Sequence, residues 1–177
     1  CSDMPEGLKM VAGYDMQSMS NPRPKHWWYC IRNNQLIGTK ERGLTKPAAL
    51  CQQKGDLLYV SVAFPDCWNG KHIDAPDHRS HLAWRATDSH TSPCPPTHPV
   101  AFPALTLIAG YDVVGKTNLR LSSDIMDGHE AEPGTSMHGD VIVVWDKRAK
   151  DRWTKNCLDT PRDCSGGQLG DGTALKQ

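Results

Sequence analysis

The nine residues DLLYVSVAF, positions 56–64, carry the clearest strand pattern in the chain. A period of two residues is typical of a β-strand, because successive side chains leave opposite faces. One face is apolar throughout and the other is only partly apolar, which indicates a central strand that is fully buried on one side. The apolar face consists of Leu58, Val60, Val62 and Phe64.

Shorter apolar segments, separated by turn residues, predict the other strands. The segment DKRAKDRWTKNC, residues 146–157, begins with an acidic residue and is rich in helix formers, which indicates one short surface helix. The strands are expected at Gly7–Tyr14, His26–Ile31, Asp56–Phe64, Ala104–Tyr111, Thr117–Leu121 and Gly139–Trp145.

Cysteine usage indicates an oxidising environment. The seven cysteines form no C-x-x-C pair of the kind that holds zinc, so disulfides and a secreted or extracellular location are expected. Seven is an odd number, so Cys1 is expected to be free, lipidated, or paired with a partner chain or a missing N-terminal segment. Spacing does not determine connectivity, but the favoured pairs are Cys30–Cys51, Cys67–Cys94 and Cys157–Cys164.

Together these features predict a mainly β fold. We expect a disulfide-braced β-sandwich or jelly roll with one or two short peripheral helices. A chain of 177 residues is long enough for one well-formed core, so a single β-rich domain is expected over residues 1–164. The glycine-rich residues 165–177 are expected to form a flexible tail.

The charge balance excludes some partners. Lys plus Arg and Asp plus Glu both number 20, so no overall field attracts nucleic acid or an anionic membrane. The apolar runs are also far too short to cross a bilayer. We therefore expect neither a nucleic-acid partner nor a transmembrane segment.

Residues 65–100 form a long segment without a helical or strand period. The stretch FPDCWNGKHIDAPDHRSH, residues 64–81, overlaps its beginning. This stretch contains two aromatic residues, a cysteine and three histidines. A loop of this length is usually functional or cross-linked. A Cys67–Cys94 disulfide would stabilise the fold by about 3 to 4 kcal/mol and would draw the histidine-bearing segments together.

His138 and Asp140 form the most definite candidate catalytic pair. They stand two residues apart at the beginning of a predicted strand, so their side chains leave the same face. A carboxylate that orients a neutral imidazole makes it a better base or metal ligand. The alternative is a hydrogen-bonded histidine that braces a turn.

Three loop histidines are the other catalytic candidates. His78 and His81 share a face if their segment forms a helical turn, where they could bind a divalent metal together with His138. His98 lies four residues beyond Cys94. A Cys67–Cys94 disulfide would bring it close to His78 and His81. The structural alternative is that Asp77 caps the turn while the histidines bond to backbone carbonyls. No other cofactor is indicated.

Tryptophans and carboxylates predict contacts with sugar. An exposed indole stacks on the apolar face of a sugar ring, while a carboxylate accepts hydrogen bonds from the sugar hydroxyls. Trp27 and Trp28 could extend such a groove, although most of the tryptophans are expected to fill the interior. His26 has no partner at a telling spacing and is expected to be solvated. The candidate substrate contacts are Asp66, Trp68, Asp77 and Trp84.

Several motifs resemble a known family. They are FPDCWNG at residues 64–70, DHRSH at 77–81, CPPTHPV at 94–100 and HGD at 138–140, preceded by GLKMVAG at 7–13. In this order they resemble the secreted domain of unknown function numbered nineteen ninety-six, over roughly residues 1–164.

The resemblance implies an exported protein with no assigned reaction. Members of the family often carry appended carbohydrate-binding modules, so the implied activity is glycan chemistry. Members also carry a His-x-His stretch upstream of the segment that GLKMVAG resembles, and nothing before Cys1 supplies it here. From this difference we expect the chain to be either a short variant or a fragment that lacks part of the site.

Two hypotheses of different class follow. The first is a secreted enzyme that hydrolyses or eliminates an extracellular polysaccharide, and the second is a non-catalytic surface module that binds glycan. A metal-dependent nuclease is a third hypothesis, which the neutral charge disfavours. The sequence lacks G-x-S-x-G, P-loop, H-E-x-x-H and dinucleotide motifs, so the enzyme classes that use them are not indicated. The site of the first hypothesis consists of His78, His81, His98, His138 and Asp140.

Overall fold

The computed structural model describes residues 2–16, 18, 25–87, 92–126, 128, 130–160 and 162–175. The protein is mainly β, as the sequence predicted, and has two short α-helices within these residues. The helices are α1 (Thr45–Leu50) and α2 (Lys147–Trp153). The strands are β1 (Lys9–Gly13), β2 (His26–Arg32), β3 (Gln35–Glu41), β4 (Leu57–Ala63), β5 (Cys67–Trp68), β6 (Leu82–Ala83), β7 (Val100–Ala101), β8 (Thr106–Tyr111) and β9 (His138–Ile142).

The chain divides into two compact units. Unit 1 contains Cys1–Met10, Asp66–Pro103 and Val141–Gln177. Unit 2 contains Val11–Pro65 and Ala104–Asp140. Strands β1 and β9 pair as a two-stranded sheet, and the division between the units falls within both strands.

Unit 2 is built on a four-stranded antiparallel sheet in the order β3-β2-β4-β8. The segment at residues 56–64 forms the interior strand β4, as predicted, and its apolar face is buried. A hydrophobic core covers this face and includes the favoured Cys30–Cys51 disulfide. The buried core residues are Trp28, Cys30, Leu44, Ala48, Cys51, Leu58, Val60 and Val113.

Three features of unit 2 differ from the sequence predictions. Strand β3 was not predicted, because most of its side chains are exposed and only Ile37 packs on the core, which leaves no apolar alternation. The predicted strand at Thr117–Leu121 is wrong, since Asn118 has a left-handed backbone (φ 53°) and the neighbouring leucines pack on the core without a partner strand. His26 is buried rather than solvated, because it faces inward from β2.

Asn33 and Asn34 form the turn between β2 and β3. Both have positive φ, 47° and 62°, and the pair Arg32 and Gln35 closes the hairpin. Two left-handed residues in a two-residue loop give the backbone twist that an antiparallel hairpin requires. Asparagine tolerates this conformation better than other residues that have a side chain.

Unit 1 contains the long loop region and its short sheet, in the order β6-β5-β7. The strands are two residues long, which is too short to produce a period in the sequence. Cys67 on β5 pairs with Ala83 and Ala101 on either side and forms the favoured disulfide with Cys94, 27 residues away. The loop region is therefore cross-linked, as the sequence predicted.

The last part of unit 1 contains the predicted surface helix. Asp146 caps α2 by accepting a hydrogen bond from the backbone N–H of Ala149, and a π-helical turn at Thr154–Leu158 follows. The third favoured disulfide, Cys157–Cys164, closes a short loop. Leu169 beyond it is buried. Cys1, the seventh cysteine of the sequence, lies outside the described residues.

In the described part of the chain, no helix combines the length and the hydrophobicity that a membrane-spanning segment needs.

Candidate functional site

The candidate site in unit 1 is centred on Asp74. Its Oδ1 lies 2.6 Å from Nδ1 of His78, and its Oδ2 lies 2.9 Å from Nζ of Lys9. One carboxylate therefore connects an imidazole to an ammonium group. The imidazole is close to half exposed, with 44% of its side-chain surface accessible, so a ligand in solution is able to reach it.

The local sequence explains how His78 reaches Asp74. The backbone N–H of His78 donates to the carbonyl of Ala75 at 2.8 Å and closes a tight turn. Pro76 occupies the second position of this turn, where its fixed φ is favourable. His78 itself has a φ of +52°, a left-handed conformation that is uncommon for a residue with a side chain. Such backbone conformations concentrate at functional sites.

The electrostatics of Asp74 favour a charged carboxylate. Hydrogen bonds from His78 and then from Lys9 hold the pKa of this carboxyl well below its usual range, although partial burial acts in the opposite direction. A permanently charged acceptor at Nδ1 fixes the proton of a neutral imidazole on that nitrogen. No hydrogen bond to Nε2 of His78 occurs among the described residues, so its lone pair is the basic atom of the site on a partly exposed ring.

His81 has a different environment. Its side chain is buried, and its Nε2 lies 2.8 Å from the carbonyl oxygen of Lys9. Because a carbonyl only accepts, Nε2 must carry the proton and Nδ1 is the bare nitrogen. Within the residues that the structure describes, this buried Nδ1 has no hydrogen-bond partner. His81 therefore holds the loop to the backbone of Lys9, whose ammonium group pairs with Asp74.

His98 connects two loops of unit 1. Its Nε2 donates to the carbonyl oxygen of Ser80 at 3.1 Å, and its Nδ1 lies 2.9 Å from the hydroxyl oxygen of Thr97. Both ring nitrogens therefore have partners. The Cys67–Cys94 disulfide holds the same loop a few residues earlier.

His78 and His81 thus lie within one segment, residues 74–81, and His98 bonds to Ser80 of the same segment. The segment is a series of turns rather than the helical turn on which the predicted shared face depended. As a result the first two imidazoles differ, one close to half exposed and the other buried.

The predicted substrate contacts lie in the same unit with partners of their own. Asp77 accepts hydrogen bonds from the backbone of Arg79 and Ser80, which is the turn-capping arrangement considered as its structural alternative. Asp66 is buried and pairs with Arg85, whose Nε lies 2.6 Å from its Oδ2.

The two tryptophans predicted to contact substrate, Trp68 and Trp84, are both partly exposed. The indole N–H of Trp68 donates to the carbonyl oxygen of His72 at 2.6 Å. Their proposed contact with sugar stays a prediction.

His138 and Asp140 belong to unit 2. They lie on one face of β9 on either side of the buried Gly139, as their spacing predicted. Nδ1 of His138 lies 3.1 Å from the carbonyl oxygen of Ser136, and no hydrogen bond among the described residues joins the ring to Asp140. Their joint catalytic role stays a prediction.

One group of three metal-ligating residues occurs in the described ranges. It consists of Cys30, Cys51 and Asp56, whose ligand atoms lie within 4.8 Å of one another. The two sulfurs are joined in a disulfide and the carboxylate pairs with Arg32, so this group does not suit a metal ion. The predicted divalent metal at His78, His81 and His138 stays a prediction.

The sequence analysis assigned no site role to Asp74 or to Lys9. The spacing of four residues between Asp74 and His78 brings side chains together on a helix, which this segment does not form, so it is only a weak signal for the pair. The contact with Lys9 spans 65 residues of sequence and has no local signature.

Two surface cavities are lined by other residues. One of about 680 Å³ in unit 2 is lined by α1 and by residues around Asn118. The other, of about 460 Å³ in unit 1, lies beside Trp145 and Trp153. Neither is lined by a predicted site residue.

The family described as a domain of unknown function (DUF1996) matches residues 1–145, which is most of the chain. The chain belongs to this family. The resemblance drawn from the motifs is confirmed, although the matched part of this family member ends before α2 and does not reach residue 164. No curated protein and no solved structure matches the chain.

Proposed function

We propose that the protein is a secreted enzyme that cleaves an acidic extracellular polysaccharide by elimination, with His78 as the general base. The observation that carries the proposal is the 2.6 Å contact between Nδ1 of His78 and Oδ1 of Asp74, in a histidine whose side chain is 44% exposed. The three disulfides support an extracellular or other oxidising compartment.

The reaction is elimination next to a uronate carboxylate. Nε2 of His78 removes the proton from the carbon beside that carboxylate. The electron pair of the broken C–H bond forms a carbon–carbon double bond, and the glycosidic carbon–oxygen bond on the neighbouring carbon breaks. Asp74 stabilises the imidazolium that results. The departing oxygen takes a proton from water, and the imidazolium returns its proton to the hydroxide so formed, which regenerates the neutral base.

Lys9 has a complementary role in this proposal. Its ammonium group lies 2.9 Å from Asp74 and its side chain is about half exposed, at 47%. A uronate carboxylate close to this cation would have its negative charge partly neutralised, which makes the neighbouring C–H bond more acidic. His81 positions Lys9 by holding its backbone carbonyl, and His98 positions the turn at Ser80.

Elimination is favoured over hydrolysis by the carboxylates nearby. Glycoside hydrolases usually use two carboxylates, one of them a proton donor. Here Asp74 is held charged by hydrogen bonds from His78 and Lys9, and Asp77 is engaged by backbone N–H groups. An oriented imidazole with a free nitrogen is instead suited to removing a proton from carbon.

A non-catalytic glycan-binding module is the second candidate function. The observation in its favour is that His81 and His98 both bond to backbone carbonyls, as bracing residues do.

The test is a polysaccharide panel with matched variants. Polygalacturonate and alginate serve as acidic substrates and a neutral galactan as control, with ultraviolet absorbance for unsaturated products and a reducing-end assay. We expect unsaturated products from an acidic substrate, a loss of at least about a hundredfold in His78→Gln, and no change in His72→Gln, an exposed histidine of the same loop. Absence of product on the whole panel, or full activity of His78→Gln, overturns the proposal.

A further inference from the structure

The sheet of unit 2 has an outward face that is rich in aromatic residues. Alternation along β2 places Trp28 in the core, while Trp27 on the opposite face is 37% exposed. Tyr29 shares that outward face, and β4 contributes Tyr59 beside it. Of the three aromatic residues of β2, only Trp28 therefore fills the core, and Trp27 and Tyr29 face outward.

The first cross-strand row of this face is a stiff aromatic ladder. Tyr29 and Tyr59 are direct partners whose rings stack at 5.8 Å with an angle of 13°. Nζ of Lys40 lies 4.9 Å from the centre of the Tyr29 ring. On the far side Tyr59 leans over Gly110, where a Cβ atom would lie 3.1 Å from its ring. Glycine at position 110 makes room for the ring.

The second row has a small residue at its centre. Register places Ser61 directly between Trp27 and Ile108. The guanidinium carbon of Arg42 lies 3.5 Å from the centre of the Trp27 ring, which fixes the indole on that side. A small hydroxyl residue between two large side chains should leave a shallow trough, because direct cross-strand partners project side by side. The Ser61 hydroxyl also has a hydrogen bond with the Tyr29 side chain, which lies at one end of this space. Ile108 is 56% exposed, so the trough is open to solvent.

Charge selects the ligand for this surface. Lys40 and Arg42 place two cations on the two rows, and neither row contains a carboxylate. A pyranose ring presents a flat C–H face that stacks on an indole, and its hydroxyls bond to groups such as the Ser61 side chain. A uronate carboxylate on the same sugar would meet the two cations. Rings that are already fixed by stacking lose little side-chain entropy when such a ligand binds.

We propose that this face of unit 2, formed by Trp27, Tyr29, Tyr59, Ser61, Lys40 and Arg42, binds an acidic polysaccharide chain. The site goes beyond the proposed catalytic function and does not depend on it, because binding here requires no chemistry at His78. It anchors the protein on a polymer whose sugars carry carboxylates.

The test measures binding of the full chain by affinity electrophoresis in gels that contain polygalacturonate or a neutral galactan. Wild type is expected to be retarded by polygalacturonate only, and less so as salt rises. Trp27→Ala is expected to weaken binding about tenfold. Trp145→Ala, which removes an exposed indole of unit 1, is the matched control and is expected to bind like wild type.

Two substitutions of opposite charge at Ile108 provide a test that does not depend on the aromatic residues. Ile108 is exposed, so both Ile108→Lys and Ile108→Glu are expected to fold, which thermal unfolding verifies. Lysine should strengthen binding to polygalacturonate and glutamate should weaken it, each about threefold. Equal retardation by both gels, identical behaviour of the two variants, or self-association that Ile108→Glu abolishes would overturn the proposal.

Discussion

Arg32 and Asp56 form a two-pronged ion pair across unit 2. Nε and Nη2 of the arginine lie 2.7 and 2.8 Å from the two carboxylate oxygens, and the aspartate side chain is buried. The same carboxylate accepts a hydrogen bond from the backbone N–H of Gln53 and orders the turn before β4. Strand β2 and the beginning of the central strand are therefore connected through one charged group.

This pair predicts a loss of stability in acid. The hydrogen bonds from Arg32 lower the pKa of Asp56 to about 2, from an ordinary value of 3.8. A carboxyl whose pKa is depressed on folding stabilises the folded state above the ordinary value, and the contribution is lost as the pH falls towards 2. Asp56→Asn should therefore have a lower Tm at neutral pH and a shallower fall of Tm between pH 4 and pH 2. An unchanged slope would contradict this role.

His26 predicts a second acid-sensitive step at higher pH. The ring is buried, with Nε2 bonded to the carbonyl of Arg42, and burial lowers its pKa below the ordinary 6.5. The folded state resists the proton that the unfolded chain accepts, so stability is complete above pH 6.5 and falls as the pH drops below it. Thermal unfolding of His26→Gln should lack this slope. If both proteins lose stability equally over that range, His26 is not the group responsible.

Gly134 predicts a strong steric effect on the core of unit 2. It has a φ of 84°, and a Cβ atom there would lie 2.8 Å from both the backbone nitrogen of Leu44 and Nε1 of Trp28. Gly115 has a similar φ of 72° but faces open space. Gly115→Ala should cost about 1 kcal/mol from backbone strain alone, and Gly134→Ala should cost more. Chemical denaturation compares the two, and equal losses would show that the contact is relieved without cost.

The Cys67–Cys94 disulfide predicts a link between stability and the candidate site. It closes a separation of 27 residues around the turn at residues 74–81, whereas Cys157–Cys164 closes only 7. Replacing both Cys67 and Cys94 by serine should cost about 3 to 4 kcal/mol by chain entropy. It should also lower the proposed activity at temperatures where the protein stays folded, while the Cys157/Cys164 variant keeps it. Equal activity in the two variants would mean that the loop holds its shape without the cross-link.

Much of the fold was predictable because its signals are local. The alternation at residues 56–64 reports burial of one face directly, and the three disulfide pairs were the favoured ones. Strand β3 was not predicted because a mostly exposed strand has no apolar period. The leucines at 119 and 121 imitated a strand because packing on a core needs apolar residues whether or not a sheet is present.

The candidate site was less predictable because its contacts are not local. The irregularity of residues 65–100 and their cross-link were visible in the sequence, and so were the histidines. The left-handed backbone of His78 and the approach of Lys9 follow from how the chain returns on itself, which spacing does not report. The inward turn of His81 has the same origin.

The central claim is that Asp74 orients His78 so that Nε2 is the free basic nitrogen. Long-range proton–nitrogen correlation spectra of the labelled protein at slightly alkaline pH report which ring nitrogen carries the proton. The account predicts a proton on Nδ1 of His78 in the wild type and a change of this pattern in Asp74→Asn. A proton on Nε2 in the wild type, or a spectrum that Asp74→Asn leaves unchanged, would contradict it.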